Sequence, residues 1–339
     1  MRRVKRSIPI LLAAASIACA RNVPAPAVAA GLGRWELLPS GDRPLPRHEN
    51  AYVRVGDRFY LIGGRGTNPI KPVEIFDPAT GTWRTGATPP VEMHHFQAVE
   101  HDGKVYVLGA MTGGYPKEPP LPNVYVYDPA TDRWTTGPEI PADRRRGGAG
   151  VVAHDGQLYV VSGIREGHWD GHVPWLDAFD PRTGTWRRLA DAPRARDHFQ
   201  AAVIDGRLYA AGGRRSSARI GRVLDLTVSE VDVYDFRTGA WTTLPSTANI
   251  PTPRAGTMVA VVGGRLVVMG GESGTQQPAH AEVEALDPRT ATWTTLAPMA
   301  VGRHATQAVW FGDRLFVAAG SRTRGATEIN SQEVYTPGR

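Results

Sequence analysis

Six short segments, spaced by roughly 50 residues, carry most of the reactive side chains of this 339-residue chain. They begin Arg47-His48-Glu49, Met93-His94-His95, Arg146-Gly147-Gly148, Arg196-Asp197-His198, Arg254-Ala255-Gly256 and Arg303-His304-Ala305, and three of them continue to Gln97, Gln200 and Gln307. Guanidinium forks grip carboxylates, while glutamine and imidazole make directional hydrogen bonds to hydroxyls, so the set suits an anionic or hydroxyl-rich ligand. His95 and His198 could also serve as general base and acid. Read as strands, the segments put alternate residues on one face. The odd positions then hold Arg47, Glu49, His95, Gln97, Arg146, Arg196, His198, Gln200, Arg254, Arg303 and Gln307, with His48, His94, Asp197 and His304 at the edge. The even positions include Tyr52, Phe96, Val151, Phe199 and Val259, which read as packing.

The elements that must position these residues recur with the same period. Each unit has a short apolar strand closed by small residues, as in Phe59-Tyr-Leu-Ile-Gly-Gly64, Leu208-Tyr-Ala-Ala-Gly-Gly213 and Leu266-Val-Val-Met-Gly-Gly271. A second strand ends in an aspartate six residues before a tryptophan: Asp77 and Trp83, Asp128 and Trp134, Asp180 and Trp186, Asp235 and Trp241, Asp287 and Trp293. Between them lies Pro, Thr and Gly turn chemistry. The sixth unit reaches Glu333-Val-Tyr335 and lacks its tryptophan, whereas Gly33-Arg-Trp35-Glu-Leu-Leu-Pro39 looks like that missing strand. The N-terminal segment is therefore expected to complete the last unit, which removes exposed sheet edges.

Over residues 33–337 the pattern resembles the kelch repeat, with Gly-Ala and Ser-Gly replacing Gly-Gly in units two and three. The resemblance implies an all-β fold, a six-bladed kelch β-propeller closed by the N-terminal strand, of the exported bacterial type. It also implies a binding site where the inner strands begin, at one mouth of a central channel. The polar odd positions are then expected to face that channel as a funnel; the competing arrangement has the arginines paired with blade glutamates such as Glu74 and Glu333. Loops after the paired small residues reach the same mouth with Arg65, Tyr115, Arg165, Trp175, Arg214, Arg215, Glu272, Arg322 and Arg324, and Glu166-Gly-His168-Trp169-Asp-Gly-His172 adds aromatic rings, among them Trp169 as a stacking surface.

Two functions follow from this placement. The first is an exported binding protein for a polar or acidic small molecule or glycan. The second is an enzyme acting on an acidic sugar, a mutarotase similar to the sialic-acid epimerases or a uronate lyase, with His95 and His198 catalytic. A protein-interaction scaffold is the third reading. A histidine set with Glu49 and Asp197 could hold a transition metal, but the residues come from separate repeats and no motif such as His-Glu-x-x-His occurs. No metal or other cofactor is expected. Copper-radical chemistry of the galactose-oxidase-like propellers needs a cysteine cross-linked to tyrosine, and Cys19 is the sole cysteine.

Met1-Arg-Arg-Val-Lys-Arg6 followed by apolar Ile8 to Ala18 reads as an export signal, too short to span a membrane. Residues 1–29 are taken as the signal peptide, with cleavage after Ala27-Val28-Ala29, and residues 30–339 as the propeller domain. Lipidation at Cys19 is the alternative exit and the one route to a membrane. Residues 1–29 hold five basic residues and no acidic one, so their removal takes the formal charge from +6 to +1. That near-neutral remainder offers no basic footprint for nucleic acid. A periplasmic or secreted monomer is expected.

Overall fold

The computed structural model describes residues 31–41 and 43–338. The expected signal peptide, its cleavage site and Cys19 lie outside the described residues. Six four-stranded antiparallel sheets follow one another along the chain. The first blade comprises Ala51–Val55, Arg58–Ile62, Glu74–Asp77 and Thr82–Thr85, running from the inner to the outer edge. In the sixth, Ala308–Phe311, Arg314–Ala318 and Gln332–Thr336 are joined by the N-terminal strand Arg34–Leu38. Trp35 pairs with Tyr335 in that register, and its indole N–H donates to Ala297 O at 3.0 Å. The ring is thus closed by pairing the two ends of the described chain, as the displaced Trp35 motif predicts.

The six-residue Asp-to-Trp interval has a simple geometric cause. In the first blade Asp77 accepts a side-chain hydrogen bond from the Ala79 N–H, and its carbonyl accepts from Gly81 N–H at 2.8 Å. This turn sets Trp83 opposite Phe76, and the same register recurs at Trp134 with Tyr127, Trp186 with Phe179, Trp241 with Tyr234 and Trp293 with Leu286. Apolar residues of adjacent blades merge into shared clusters: Phe59, Phe76 and Tyr52 of the first blade pack with Phe316 and Val334 of the sixth. Burial at these blade-to-blade seams supplies the large core of a fold without disulfides.

Around the axis, backbone rather than side chain seals the channel. His95 N donates to Glu49 O, Gly148 N to His95 O, His198 N to Gly148 O, Gly256 N to His198 O and Ala305 N to Gly256 O, all within 3.0 Å; Asn50 N donates to Ala305 O at 3.3 Å and closes the circle. The third residue of every segment, Glu49, His95, Gly148, His198, Gly256 and Ala305, adopts a left-handed φ between 52° and 63°. Below this ring three glutamines cross-link alternate blades. Gln97 donates to Ala201 O (2.9 Å), Gln200 to Thr306 O (2.7 Å) and Gln307 to Ala98 O (3.1 Å). Their carbonyls accept from Val151 and Ala201, from Val259, and from Ala98. Blades two, four and six are tied head to tail across the axis.

Candidate functional site

The left-handed residue at the third position reverses the expected alternation. Extended alternation fails at a left-handed turn, and the inner strands begin only after it, at Ala51, Ala98, Gly150, Ala201, Met258 and Ala308. The arginines therefore turn away from the channel into their own blades, which corrects the expectation of an arginine-lined funnel. Arg47, Arg146, Arg196, Arg254 and Arg303 are at most 2% exposed. Each donates to the carbonyl sixteen residues ahead, Gly63, Ser162, Gly212, Gly270 or Ala319. Each also pairs with a carboxylate of its third strand: Arg47 with Glu74, Arg146 with Asp177 (2.8 Å), Arg196 with Asp232 (2.6 Å), Arg254 with Glu284 (2.6 Å) and Arg303 with Glu333. Burial pulls Arg47 and Arg146 down to about 10, against the attraction of Glu74 and Asp177. A ligand would have to break these pairs to use them.

The glutamines are corrected in the same way, because Gln97, Gln200 and Gln307 spend both ends of their amides on the cross-links below the ring. His94, Asp197 and His304, the second residues of their segments, are buried. Trp169 does not line the channel mouth; its ring carries the Lys117 ammonium at 4.5 Å. Of the expected residues, His48, Glu49 and His95 of the segments and Arg65, Tyr115, His168, Arg214 and Glu272 of the loops line the cavity that does open there, and His198 sits in the narrow well beneath it.

That cavity has a volume of about 560 Å³, within the range usual for small-molecule sites. Besides Glu49 and His95, its wall contains His48, Arg65, Tyr115, His168, Arg214, Val223, Leu224, Glu272 and Glu328. Its charges are mixed and already matched. Arg65 donates to Glu118 at 2.6 Å, Arg214 to Glu272 at 2.5 Å, and His48 lies 3.2 Å from Glu328. Burial, reinforced by Glu272, pushes the Glu49 carboxyl up to about 8. Tyr115 stands on the rim, 59% exposed, with its ring 5.2 Å from that of His168.

On the floor, His95 from the second blade, His168 from the third-blade loop and His198 from the fourth blade converge. One ring nitrogen of each lies within 4.8 Å of the others. Their other nitrogens are held by neighbours. His198 Nδ1 donates to Asp197 at 2.6 Å, and His168 Nδ1 donates to Glu118 at 2.9 Å. His94 Nε2 donates to Gly113 O at 3.0 Å, so its Nδ1 accepts from His95 Nδ1 at 2.6 Å. Burial lowers His198 and His94 to about 4 and holds His95 well below its usual value. Against the opposite push of burial, hydrogen bonds from His168 hold Glu118 at about 2.

Sequence spacing hides this grouping because its members come from three separate repeats. Glu118 and Glu328 were not among the expected residues, since neither belongs to a recurrent position. Glycine at the third position of two segments, Gly148 and Gly256, was the available signal for the left-handed turn.

The model of the KLHDC2/KLHL20/DRC7 Kelch-repeats domain matches residues 32–192 and 110–320. Kelch-like protein terF of Aspergillus terreus is 28% identical over 330 residues, covering 90% of this chain and 68% of that protein. Kelch-like protein 25 of Xenopus tropicalis is 27% identical over 270 residues, covering 77% of this chain and 42% of its own length. The chain thus spans just over two thirds of the first relative and less than half of the second. Among solved structures, YjhT is similar in fold, with a TM-score of 0.72 at 17% identity over 88% of this chain and 97% of its own. Repeat pattern, blade topology and family match agree, and the chain belongs to the kelch-repeat family.

Proposed function

We propose that this propeller is a small-molecule-binding protein that takes a neutral, hydroxyl-rich ligand of sugar size in the cavity above the backbone ring. The observation that carries this reading is the mixed wall of that 560 Å³ cavity, where Glu49, Glu272 and Glu328 share the lining with Arg65, Arg214 and an exposed tyrosine. Hydroxyls donate to carboxylates and accept from guanidiniums, so a polyol is served by both kinds of group without carrying charge itself. An acidic sugar is disfavoured, because Arg65 and Arg214 already face Glu118 and Glu272. Tyr115 offers a flat apolar face to a sugar ring.

Isothermal titration of metal-free protein with neutral sugars, uronic acids and sialic acids tests the reading. Binding of a neutral sugar that is lost in Tyr115→Ala and weakened in Glu328→Gln supports it. A uronate or sialate binding more tightly than every neutral sugar, or no binding by any, refutes it. The second reading is a protein partner, favoured by Ile220, 57% exposed, on the loop next to the Tyr115 rim. The reading also keeps the propeller as an exported domain, which N-terminal sequencing of extracytoplasmic protein checks.

A further inference from the structure

We propose that His95, His168 and His198 bind one divalent transition-metal ion of the zinc class on the cavity floor, with a coordination position open towards the ligand. This goes beyond sugar binding and does not depend on it.

The argument begins with where the protons sit. A ring nitrogen that donates a hydrogen bond carries the proton, so the other nitrogen of a neutral imidazole holds a lone pair. His198 and His168 both spend Nδ1–H on carboxylates, Asp197 and Glu118. His95 spends Nδ1–H on His94, which is fixed as an acceptor because its own Nε2–H is given to the Gly113 carbonyl. Each ring is therefore left with Nε2 as an acceptor. His198 Nε2 is buried and has no hydrogen-bond partner, an arrangement that costs about 1–3 kcal/mol unless something fills it. His95 Nε2 lies 3.4 Å from the Glu49 carboxyl.

Three buried imidazoles, one nitrogen of each within 4.8 Å of the others, ask for a shared electrophile, and a proton can serve one of them at most. A metal ion serves all three. A carboxylate behind a ligating histidine, fixing its tautomer and raising its basicity, is the outer shell that protein metal sites commonly use. Here Asp197 and Glu118 supply it twice. Three imidazoles with a carboxylate at hand match the ligand preference of zinc and its neighbours rather than of calcium or magnesium. Tetrahedral Zn–N bonds of about 2.0–2.1 Å require nitrogens about 3.3 Å apart, so binding draws the cluster in from its present spacing of up to 4.8 Å. The remaining position points into the cavity, beside Glu49, and takes water or an oxygen of the ligand.

The full chain, stripped with a chelator and dialysed against Zn²⁺ or Co²⁺, is tested for bound metal by elemental analysis and for the visible spectrum of the cobalt form. We expect one ion per chain, a cobalt spectrum typical of a four-coordinate site, and a raised melting temperature. His168→Gln should lose the ion, and Glu118→Gln should bind it about 10- to 100-fold more weakly. His172→Gln, in the same loop but outside the cluster, should bind as the parent does. Circular dichroism of the metal-free variants separates loss of a ligand from loss of fold; should His168→Gln prove unfolded, the cobalt spectrum of the parent decides. No stoichiometric ion in the parent, a six-coordinate cobalt spectrum lacking imidazole character, or undiminished binding by folded His168→Gln would overturn the proposal. None of these outcomes touches the sugar titration, which is performed without metal.

Discussion

Met93 and Tyr125 occupy, in the second blade, the two positions that hold an arginine and a carboxylate in the other five. Tyr125 stands opposite Val107 as Glu284 stands opposite Val268, and Met93 and Tyr125 share one apolar cluster. The charged pair is lost as a unit, as expected when either partner alone would leave a buried, uncompensated charge. Arg254→Met should therefore cost about 3–5 kcal/mol, since it strands Glu284. The double change Arg254→Met with Glu284→Tyr, which copies the second blade, should cost clearly less than the single one. Urea unfolding of the two variants measures the difference, and equal losses would show that the pair is not the coupled unit.

The glutamine cross-links make a second prediction. Gln97→Ala removes one donated and two accepted hydrogen bonds and leaves Ala201 O, Ala201 N and Val151 N without partners. Buried groups left unpaired cost about 1–3 kcal/mol each where water cannot reach them. A loss of at least about 2 kcal/mol is expected by denaturant unfolding, with hydrogen exchange rising at Val151 and Ala201.

Gly167 is set against Glu118, and a methyl group there would lie 2.2 Å from the Glu118 carboxylate and 2.5 Å from its amide nitrogen. Its φ of 61° adds about 1–2 kcal/mol of left-handed strain for an L-residue. Gly167→Ala should push the loop off Glu118, break the Glu118–His168 bond and lower stability by more than the strain alone. The histidine resonances of His168 and His95 should shift together in the NMR spectrum, while those of His280, far along the chain and in contact with Ser273, should not.

Acid should destabilise the fold. Burial lowers the titration of His304 and of His280, so both stay neutral in the native state while the unfolded chain takes up protons. A depressed native value means that this contribution is present above about pH 6.5 and is lost as pH falls below it. Each group gives a slope of up to about 1.4 kcal/mol per pH unit. Glu49 acts in the opposite sense: its value near 8 makes the native state hold a proton that the unfolded chain has released above about pH 4.5, so it erodes stability as pH rises towards 8. His94, His95 and His198, lowered by burial in the same way, add to the acid limb, so maximum stability is expected near neutral pH. Equilibrium unfolding from pH 5 to 8.5 checks this, and His280→Gln should flatten the acid limb.

Much of the paired chemistry could have been read from the chain with one further alignment. Glu74, Asp177, Asp232, Glu284 and Glu333 each lie three residues before the aspartate or threonine that closes the third strand, and Tyr125 takes that place in the one repeat that begins with Met93. The co-occurrence identifies a pair inside each blade. Polarity alone directs the arginines towards the channel, because strict alternation does not register a residue whose left-handed backbone breaks it.

What the amino-acid sequence determined by itself was the blade. Strand, small-residue turn, Asp-based hairpin and tryptophan are local, and their repetition dictates a ring in which Trp35 supplies what the last repeat lacks. Only the tertiary structure decided the site. His95, His168 and His198 come from different repeats and become neighbours because ring closure brings their segments to one axis, where the backbone ring holds His95 and His198 and Glu118 holds His168. Side-chain direction at that axis depends on a single backbone torsion per blade, and residue type alone does not set it when glycine, alanine, histidine and glutamate all adopt the same turn.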